Sequence, residues 1–394
     1  MIATLAVENY RSLRSLVLPL APLTVVTGAN GVGKSSLYRA LRLLADAARN
    51  GAVAALAREG GLPSTLWAGP ETIGRRVRDG THPVQGTART KPVSLRLGFA
   101  GDEFGYAIDF GLPAGAGRQS LFALDPEIKR ETIWAGPLLR PAAALCERDN
   151  GIVRVRDDGR AWSEPYPIRP YDSMLSEFAD PGRAPEVLRV REQLRSWRFY
   201  DHVRTDAAAP ARGSQIGTRT PVLSPDGSDL AAALQTIRET GDAAALDQAV
   251  GQAFPGSRVT VASEGEGRLG LRLHQHGLLR PLAAAELSDG TLRYLLWAAA
   301  LLAPRPAGLL VLNEPETSLH EQLLAPLGQL IAAAATRSQV VAVSHAQTLI
   351  AALEEAAEES GTAVSAVELI KDFGETQVRG REPLDGPNWR WPKR

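Results

Sequence analysis

The most constraining stretch of the chain is Gly28-Ala29-Asn30-Gly31-Val32-Gly33-Lys34-Ser35, which meets the pattern G-x-x-x-x-G-K-[ST] at every fixed position. Its context fits as well. The β-prone run Leu23 to Thr27 precedes it, and apolar residues at helical spacing follow from Lys34 to about Arg49. A glycine loop between a strand and a helix start can wrap a polyphosphate, because backbone N–H groups and the helix N-terminus face the anion at close range. On this reading Gly28, Asn30, Gly31, Gly33, Ser35 and Ser36 cradle the phosphates of ATP. Lys34 reaches the β- and γ-phosphates, and the Ser35 hydroxyl faces Mg²⁺. A plain glycine turn at a helix start is the alternative for the pattern standing alone.

The rest of the chain narrows the class. Its 394 residues allow one large domain or two moderate ones, and 44% hydrophobic with 22% charged residues is ordinary for a globular protein. Lys plus Arg and Asp plus Glu are 44 each, so global charge gives no argument for nucleic acid or membrane surfaces. The single Cys146 excludes a disulfide framework and points to a reducing, cytoplasmic setting. The longest apolar stretch, Tyr294 to Leu312, is broken by Pro304, Arg305 and Pro306, so no membrane span is expected.

Short β-prone runs open the chain at Ile2–Val7 and Ser15–Leu20. Val93–Phe110 predicts a hairpin about Gly101-Asp102, and residues 131–163 predict short strands around Asp149-Asn150-Gly151. Helical spacing marks Ala184–Arg198, Ser228–Thr240 and Asp242–Phe254. Strands return at Arg258–Ala262 and Leu269–Leu273, and the last third alternates helix and strand, which implies a mainly parallel, helix-covered sheet. The expected fold class is α/β, with a mixed or parallel central sheet, an antiparallel β subdomain and a helical lobe. The expected division is residues 1–170 with the glycine loop and antiparallel strands, 171–255 as the helical lobe, and 256–394 completing the core.

Three later motifs join the glycine loop. Leu309-Leu310-Val311-Leu312-Asn313-Glu314 is an apolar strand ending in polar residues, the Walker B arrangement. Asn313 stands where a metal-supporting aspartate is usual, so it faces the Mg²⁺ shell without a charge, and slow hydrolysis is one consequence. Glu314 stands where a general base is expected. Leu287-Ser288-Asp289-Gly290-Thr291 reads as an ABC signature, in which Ser288 caps a helix and Gly290 bares its N–H groups to an anion. Alone it is a helix N-cap; ahead of a Walker B strand it gains the second meaning. Pro315-Glu316-Thr317-Ser318-Leu319-His320 takes the D-loop position, and the strand Gln339–Ser344 delivers His345 as a neutral donor to the γ-phosphate. His320 reads as an exposed interface residue. His82, His202, His274 and His276 show no metal-ligand spacing and read as structural.

With these motifs in this order, the chain resembles the AAA-type ATPases of the RecF, SMC and OLD group, a branch of the ABC ATPases. Asn9-Tyr10-Arg11-Ser12-Leu13, the P-loop, Glu286–Leu295, Leu309–His320 and the strand ending at His345 carry the likeness. The resemblance implies a P-loop NTPase head of the ABC type, a homodimer with ATP sandwiched between heads, and Arg11 near the nucleotide. The mid-chain glutamine of the group has Gln119 as one candidate. Asp289 and Thr291 depart from the commonest transporter signature, and no heptad run supports a long coiled coil. The chain ends too soon after His345 for the Toprim nuclease of OLD-type proteins, and Glu354, Glu355, Glu358 and Glu359 read as a solvated helix face.

The function expected is an ATP-driven dimerisation switch in DNA maintenance or anti-phage defence. The alternative is a slow or non-hydrolysing nucleotide-sensing subunit that controls a separate effector protein. Two arginine-rich stretches are candidate DNA surfaces. One has Arg75, Arg76, Arg78, Arg89 and Lys91; the other has Arg189, Arg191, Arg195, Arg198 and Arg204, with Trp197 and Tyr200 interleaved. Nearby acidic residues favour solvated faces and internal ion pairs for both.

Overall fold

The computed structural model describes residues 1–49, 51–71, 92–113, 120–157, 161–178, 180–201, 203–381 and 386–394. They form two units, each drawn from separate stretches of sequence. The first holds Met1–Ala21, Thr27–Trp197 and Val367–Arg394; the second holds Pro22–Val26 and Arg198–Ala366.

The first unit is built on antiparallel strands. β1 (Ile2–Tyr10) and β2 (Leu13–Pro19) form the opening hairpin. The next strand, β3 (Leu23–Thr27), lies in the second unit as far as Val26. β4 (Leu95–Gly101) and β5 (Phe104–Gly111) make the expected hairpin, and β6 (Glu127–Ala135), β7 (Ala144–Asp149), β8 (Ile152–Asp157), β9 (Ala161–Trp162) and β10 (Tyr166–Pro167) extend the sheet. Its order is β10-β8-β7-β6-β5-β4-β1-β2, with β9 on β8. Leu95, Leu97 and Phe99 share one face of β4 and are fully buried, and Ala100 on the opposite face is buried too, against Ala107 and Trp134. Asn150 turns the β7–β8 hairpin with a φ of 49°, a left-handed conformation that asparagine tolerates.

A buried cluster ties this sheet to the segment that follows it. The Glu131 carboxylate accepts from Tyr106 Oη (2.7 Å), Ser173 Oγ (2.5 Å), Met174 N (2.8 Å) and Arg148 Nη1 (2.9 Å). Arg148 also donates to the carbonyls of Asn150, Asp172, Arg169 and Pro170. Burial and the neighbouring carboxylate push the Tyr106 hydroxyl well above its ordinary pKa.

The helix Pro185–Arg195 stops short of the expected Arg198. Residues Arg198–Tyr200 instead form β11, parallel to a later strand of the second unit. Aromatic residues suit a strand, and burial overrides the helical spacing here. Both aromatic residues of the second arginine-rich stretch lie inside the protein: Trp197 is 0% and Tyr200 1% exposed. Trp197 packs 5.7 Å from the Phe99 ring, and Tyr200 donates to the carbonyl of Leu223 (2.9 Å).

The second unit carries a small antiparallel sheet: β12 (Gln215–Ile216), β13 (Arg258–Ser263), β14 (Arg268–His274) and β15 (Leu282–Ala283). It also carries the parallel sheet that the last third of the sequence predicts. There β16 (Leu309–Asn313) and β17 (Gln339–Val343) lie beside β3, and β18 (Val364–Asp372) follows, in the order β11-β16-β17-β3-β18. β16 and β17 are almost continuously apolar, as strands covered on both faces must be. Leu292, Leu295 and Leu296 from the helix Asp289–Leu301 share one core with Leu312, Val340 and Ala342. After β16 the chain turns helical as a 3₁₀ turn, Glu321–Leu323, that leads into the helix Leu324–Ala335.

β18 enters the first unit at Val367, where it forms a hairpin with β19 (Glu375–Val378). The chain then lays a strap over the first sheet. Trp389 sits 5.6 Å from Trp134 and 5.1 Å from Trp391. Arg394 closes the strap with a bidentate pair to Asp109, at 2.7 Å for each bond. Among the described residues no helix is long and apolar enough to cross a membrane.

Candidate functional site

In the first unit the glycine loop has the backbone that the sequence demands. Gly28 has φ 137° and Gly33 φ 115°, where L side chains rarely go. A Cβ would also collide at both: 2.4 Å from the Leu369 carbonyl oxygen at position 28, and 2.2 Å from Thr376 Oγ1 at position 33. Gly31 shares the left-handed half with φ 81° but faces open space.

The helix Lys34–Ala47 begins at Gly33 with no side-chain cap and no acidic residue in its first turn. Its first N–H groups are therefore offered to an anion with no carboxylate competing. Lys34 is 6% exposed, and its ammonium donates to the carbonyls of Gly28 (2.5 Å) and Ala29 (3.1 Å). Asn30 and Ser35 are exposed, and Ser36 is half-buried. An uncapped helix start, a glycine cradle and a central ammonium are a donor set fitted to a polyphosphate.

The loop has buttresses that sequence reasoning missed. Thr376, on β19, donates through its N–H to the Ser12 carbonyl (2.8 Å) and through Oγ1 to the Val32 carbonyl (2.6 Å). The same Oγ1 lies 2.8 Å from Ser12 Oγ. Lys371 on β18 donates to the Gly31 carbonyl (3.1 Å). Arg11 is held by Glu59, with Nη2 and Nε at 2.7 and 3.2 Å from Oε2, and Tyr10 Oη donates to that oxygen at 2.6 Å.

In the second unit the C-terminal ends of β3, β16 and β17 lie in register, Val26 beside Val343 and Val343 beside Asn313. Ligand-binding groups collect at such strand ends in parallel sheets. Asn313 closes β16. Glu314 follows with φ 48°, a strained setting for a side chain with a Cβ, and its N–H donates to the Val343 carbonyl (2.8 Å). His345 Nδ1 lies 3.9 Å from Glu314 Oε1 and 3.4 Å from Glu316 Oε1. Glu316 is buried and accepts from Ser344 Oγ (2.7 Å) and His345 N (3.0 Å). Its place in the D-loop segment, directly after the apolar strand, was its signal in the sequence.

Ser288 caps the helix Asp289–Leu301, accepting from Thr291 N at 3.2 Å, and Gly290 lies in the first turn. Arg212 braces this start by donating to the carbonyl of Leu287 (2.7 Å) and to Asp289 Oδ1 (2.5 Å). His320 caps the 3₁₀ turn Glu321–Leu323 and is exposed. His274 meets Thr260 Oγ1 at 3.0 Å.

Of the second arginine stretch, Arg189 pairs with Glu103, Arg191 and Arg195 lie against Glu192, and Arg204 makes two bonds to Asp206. Internal pairing is what its acidic neighbours favoured. The first stretch, Arg75 to Lys91, lies outside the described residues, as do Gln119, His82 and His202.

Comparisons with known proteins bear on the family and the fold. The family profile described as "AAA domain, putative AbiEii toxin, Type IV TA system" matches residues 23–351. An OLD nuclease from Thermus scotoductus is 46% identical over 44 residues, which is 11% of this chain and only 8% of that protein. Among solved structures, an SMC head bound to the C-terminal winged-helix domain of ScpA superposes with a TM-score of 0.51 at 13% identity, over 96% of each chain. The SMC head domain from Thermotoga maritima gives 0.48 at 12% identity, over 97% of this chain and 99% of that one. The chain belongs to that AAA domain family, and its fold is the ABC-type ATPase head of the RecF, SMC and OLD group.

Proposed function

We propose that this chain binds Mg-ATP, hydrolyses it, and closes with a second copy of itself around the nucleotide. The observation that carries the reading is the glycine loop. Its backbone at Gly28 and Gly33 admits no side chain, and Lys34 is buried at its centre. Main-chain N–H groups from Gly28 to Ser36 bind the phosphates, and Lys34 turns its third donor to them. Ser35 and Asn313 would hold Mg²⁺, which when bound would neutralise charge on the phosphate oxygens. Glu314 takes a proton from, or orients, the attacking water, and His345 donates to the γ-phosphate. Ser288 and Gly290 present their helix start to the nucleotide held by the other copy.

The switch serves DNA maintenance or defence against foreign DNA. The toxin named in the family's description and the OLD nuclease likeness support the defence side. Lone, buried Cys146 fits a cytoplasmic setting. Asn313 favours a second reading, in which turnover is slow and ATP-driven dimerisation controls a separate effector protein.

Steady-state ATP hydrolysis with Mg²⁺, with and without duplex DNA, tests both. Turnover that rises with DNA and vanishes in Lys34→Ala and Glu314→Gln supports the DNA-coupled ATPase. Tight ATP binding with DNA-indifferent, very slow turnover supports the second reading. Absence of ATP binding refutes both.

A further inference from the structure

We propose that Glu316 is a positioning residue that locks His345 to the turn bearing Glu314, so that the two move as one body; this rests on the roles given above to His345 and Glu314. One oxygen of Glu316 holds the end of β17. Oε1 accepts from Ser344 Oγ (2.7 Å) and from His345 N (3.0 Å) and lies 3.4 Å from His345 Nδ1. Ser344 Oγ in turn accepts from Ala346 N (3.2 Å). Three successive residues are thus fixed through one carboxylate atom.

The other end of the link is equally tied. Thr317 N donates to the Glu314 carbonyl and Leu319 N to the Glu316 carbonyl, each at 3.0 Å. Trp297, 2% exposed on the helix that Ser288 caps, donates from Nε1 to the Pro315 carbonyl (3.0 Å). A Cβ on Gly290, in that helix's first turn, would meet the Ser318 carbonyl oxygen at 3.3 Å. The path therefore runs from the signature helix through Pro315 and Glu316 to His345. A shift at that helix start reaches the histidine without passing through the nucleotide.

Stability alone argues against this carboxylate. Glu316 is 8% exposed, and its Oε2 has no hydrogen-bond partner among the described residues. A buried carboxylate with one bare oxygen is an expensive way to fill space. Such a group is expected where position matters more than stability.

The test uses the full chain as wild type, Glu316→Ala, Glu316→Gln, His345→Ala, the Glu316→Ala/His345→Ala double variant, and exposed Glu354→Ala as control. Expected is a kcat lower on the order of 10- to 100-fold in Glu316→Ala with KM within about twofold. The double variant should be no slower than His345→Ala, because Glu316 acts through that side chain. Losses that multiply in the double variant overturn the proposal.

A second readout needs no turnover. In ¹⁵N-histidine-labelled protein without nucleotide, the His345 ring resonances should shift in Glu316→Ala and stay put in Glu354→Ala. Unmoved resonances overturn the proposal. A wild type that turns over no ATP refutes the hydrolysis reading alone, and the resonances still decide this one. Ser344→Ala, which removes the same bond from the other side, replaces Glu316→Ala if that variant does not fold.

Discussion

Replacing Thr376 by valine isolates the brace beneath the glycine loop. The change keeps the side-chain shape and removes one hydroxyl, at a site 1% exposed. The hydroxyl donates to the Val32 carbonyl at 2.6 Å and touches Ser12 Oγ at 2.8 Å, so the valine leaves both without that partner. A neutral hydrogen bond contributes about 0.5–1.5 kcal/mol net. If the whole amount holds the loop in its phosphate-ready form, ATP affinity falls about 2- to 12-fold. Equilibrium titration with a fluorescent ATP analogue measures this, alongside thermal unfolding. Gly33→Ala is the severe companion, because its methyl would sit 2.2 Å from Thr376 Oγ1 at a φ of 115°. It should abolish binding in a folded protein. An unchanged Kd in Thr376→Val with a lowered Tm would refute the reasoning, because the hydroxyl would then serve the hairpin and not the loop.

Three further outcomes are expected. Asn313→Asp should lower the Mg²⁺ concentration for half-maximal turnover about fivefold, since a charged acceptor adds roughly 1 kcal/mol over a neutral one; a Mg²⁺ titration of ATPase rate checks it. Arg148→Met strands the Glu131 carboxylate in a fully buried site and should destabilise the first unit by about 3–5 kcal/mol, read as a lower urea midpoint. Arg212→Lys keeps the charge but not the guanidinium fork on the Leu287 carbonyl and Asp289, and should weaken ATP-driven dimerisation in a Glu314→Gln background, measured by light scattering.

The parts of the site legible in the sequence are those whose chemistry is local. The glycine loop declares itself because its cradle is made from consecutive residues. β16 and β17 declare themselves because strands covered on both faces are nearly continuous apolar runs, and β3 because a β-prone run leads straight into the glycine loop. Ser288 reads as a cap because capping needs only the next three residues.

What was missed is held by long-range pairing. Thr376 braces Ser12 across 364 positions of sequence, and Lys371 reaches Gly31 across 340. Neither residue has a local signal. Arg212 meets Asp289 only once the fold brings 77 positions of separation together. Glu316 sat in a quoted motif, yet its partners Ser344 and His345 lie 28 and 29 positions away, just past the end of β17. β11 failed for a different reason: three residues at the end of a helical pattern carry too little periodicity to outvote it. The burial of Trp197 and Tyr200 among the arginines was not legible either, because sequence gives aromatic content but not burial.

The place of β3 has a consequence for how the protein is made. Residues Leu23–Val26 pair with Val340–Val343 and with nothing translated earlier in that sheet order, since β18 on the other side comes later still. At about 5–20 residues per second, the apolar strand waits roughly 15–60 s for its first neighbour. During that interval both of its edges are open to other chains. The same strand leads directly into Gly28, so the glycine loop matures only after the last strands have left the ribosome. A nascent chain stalled before Gln339 should accordingly hold β3 open to protease and should not retain ATP, whereas the released chain protects the one and binds the other.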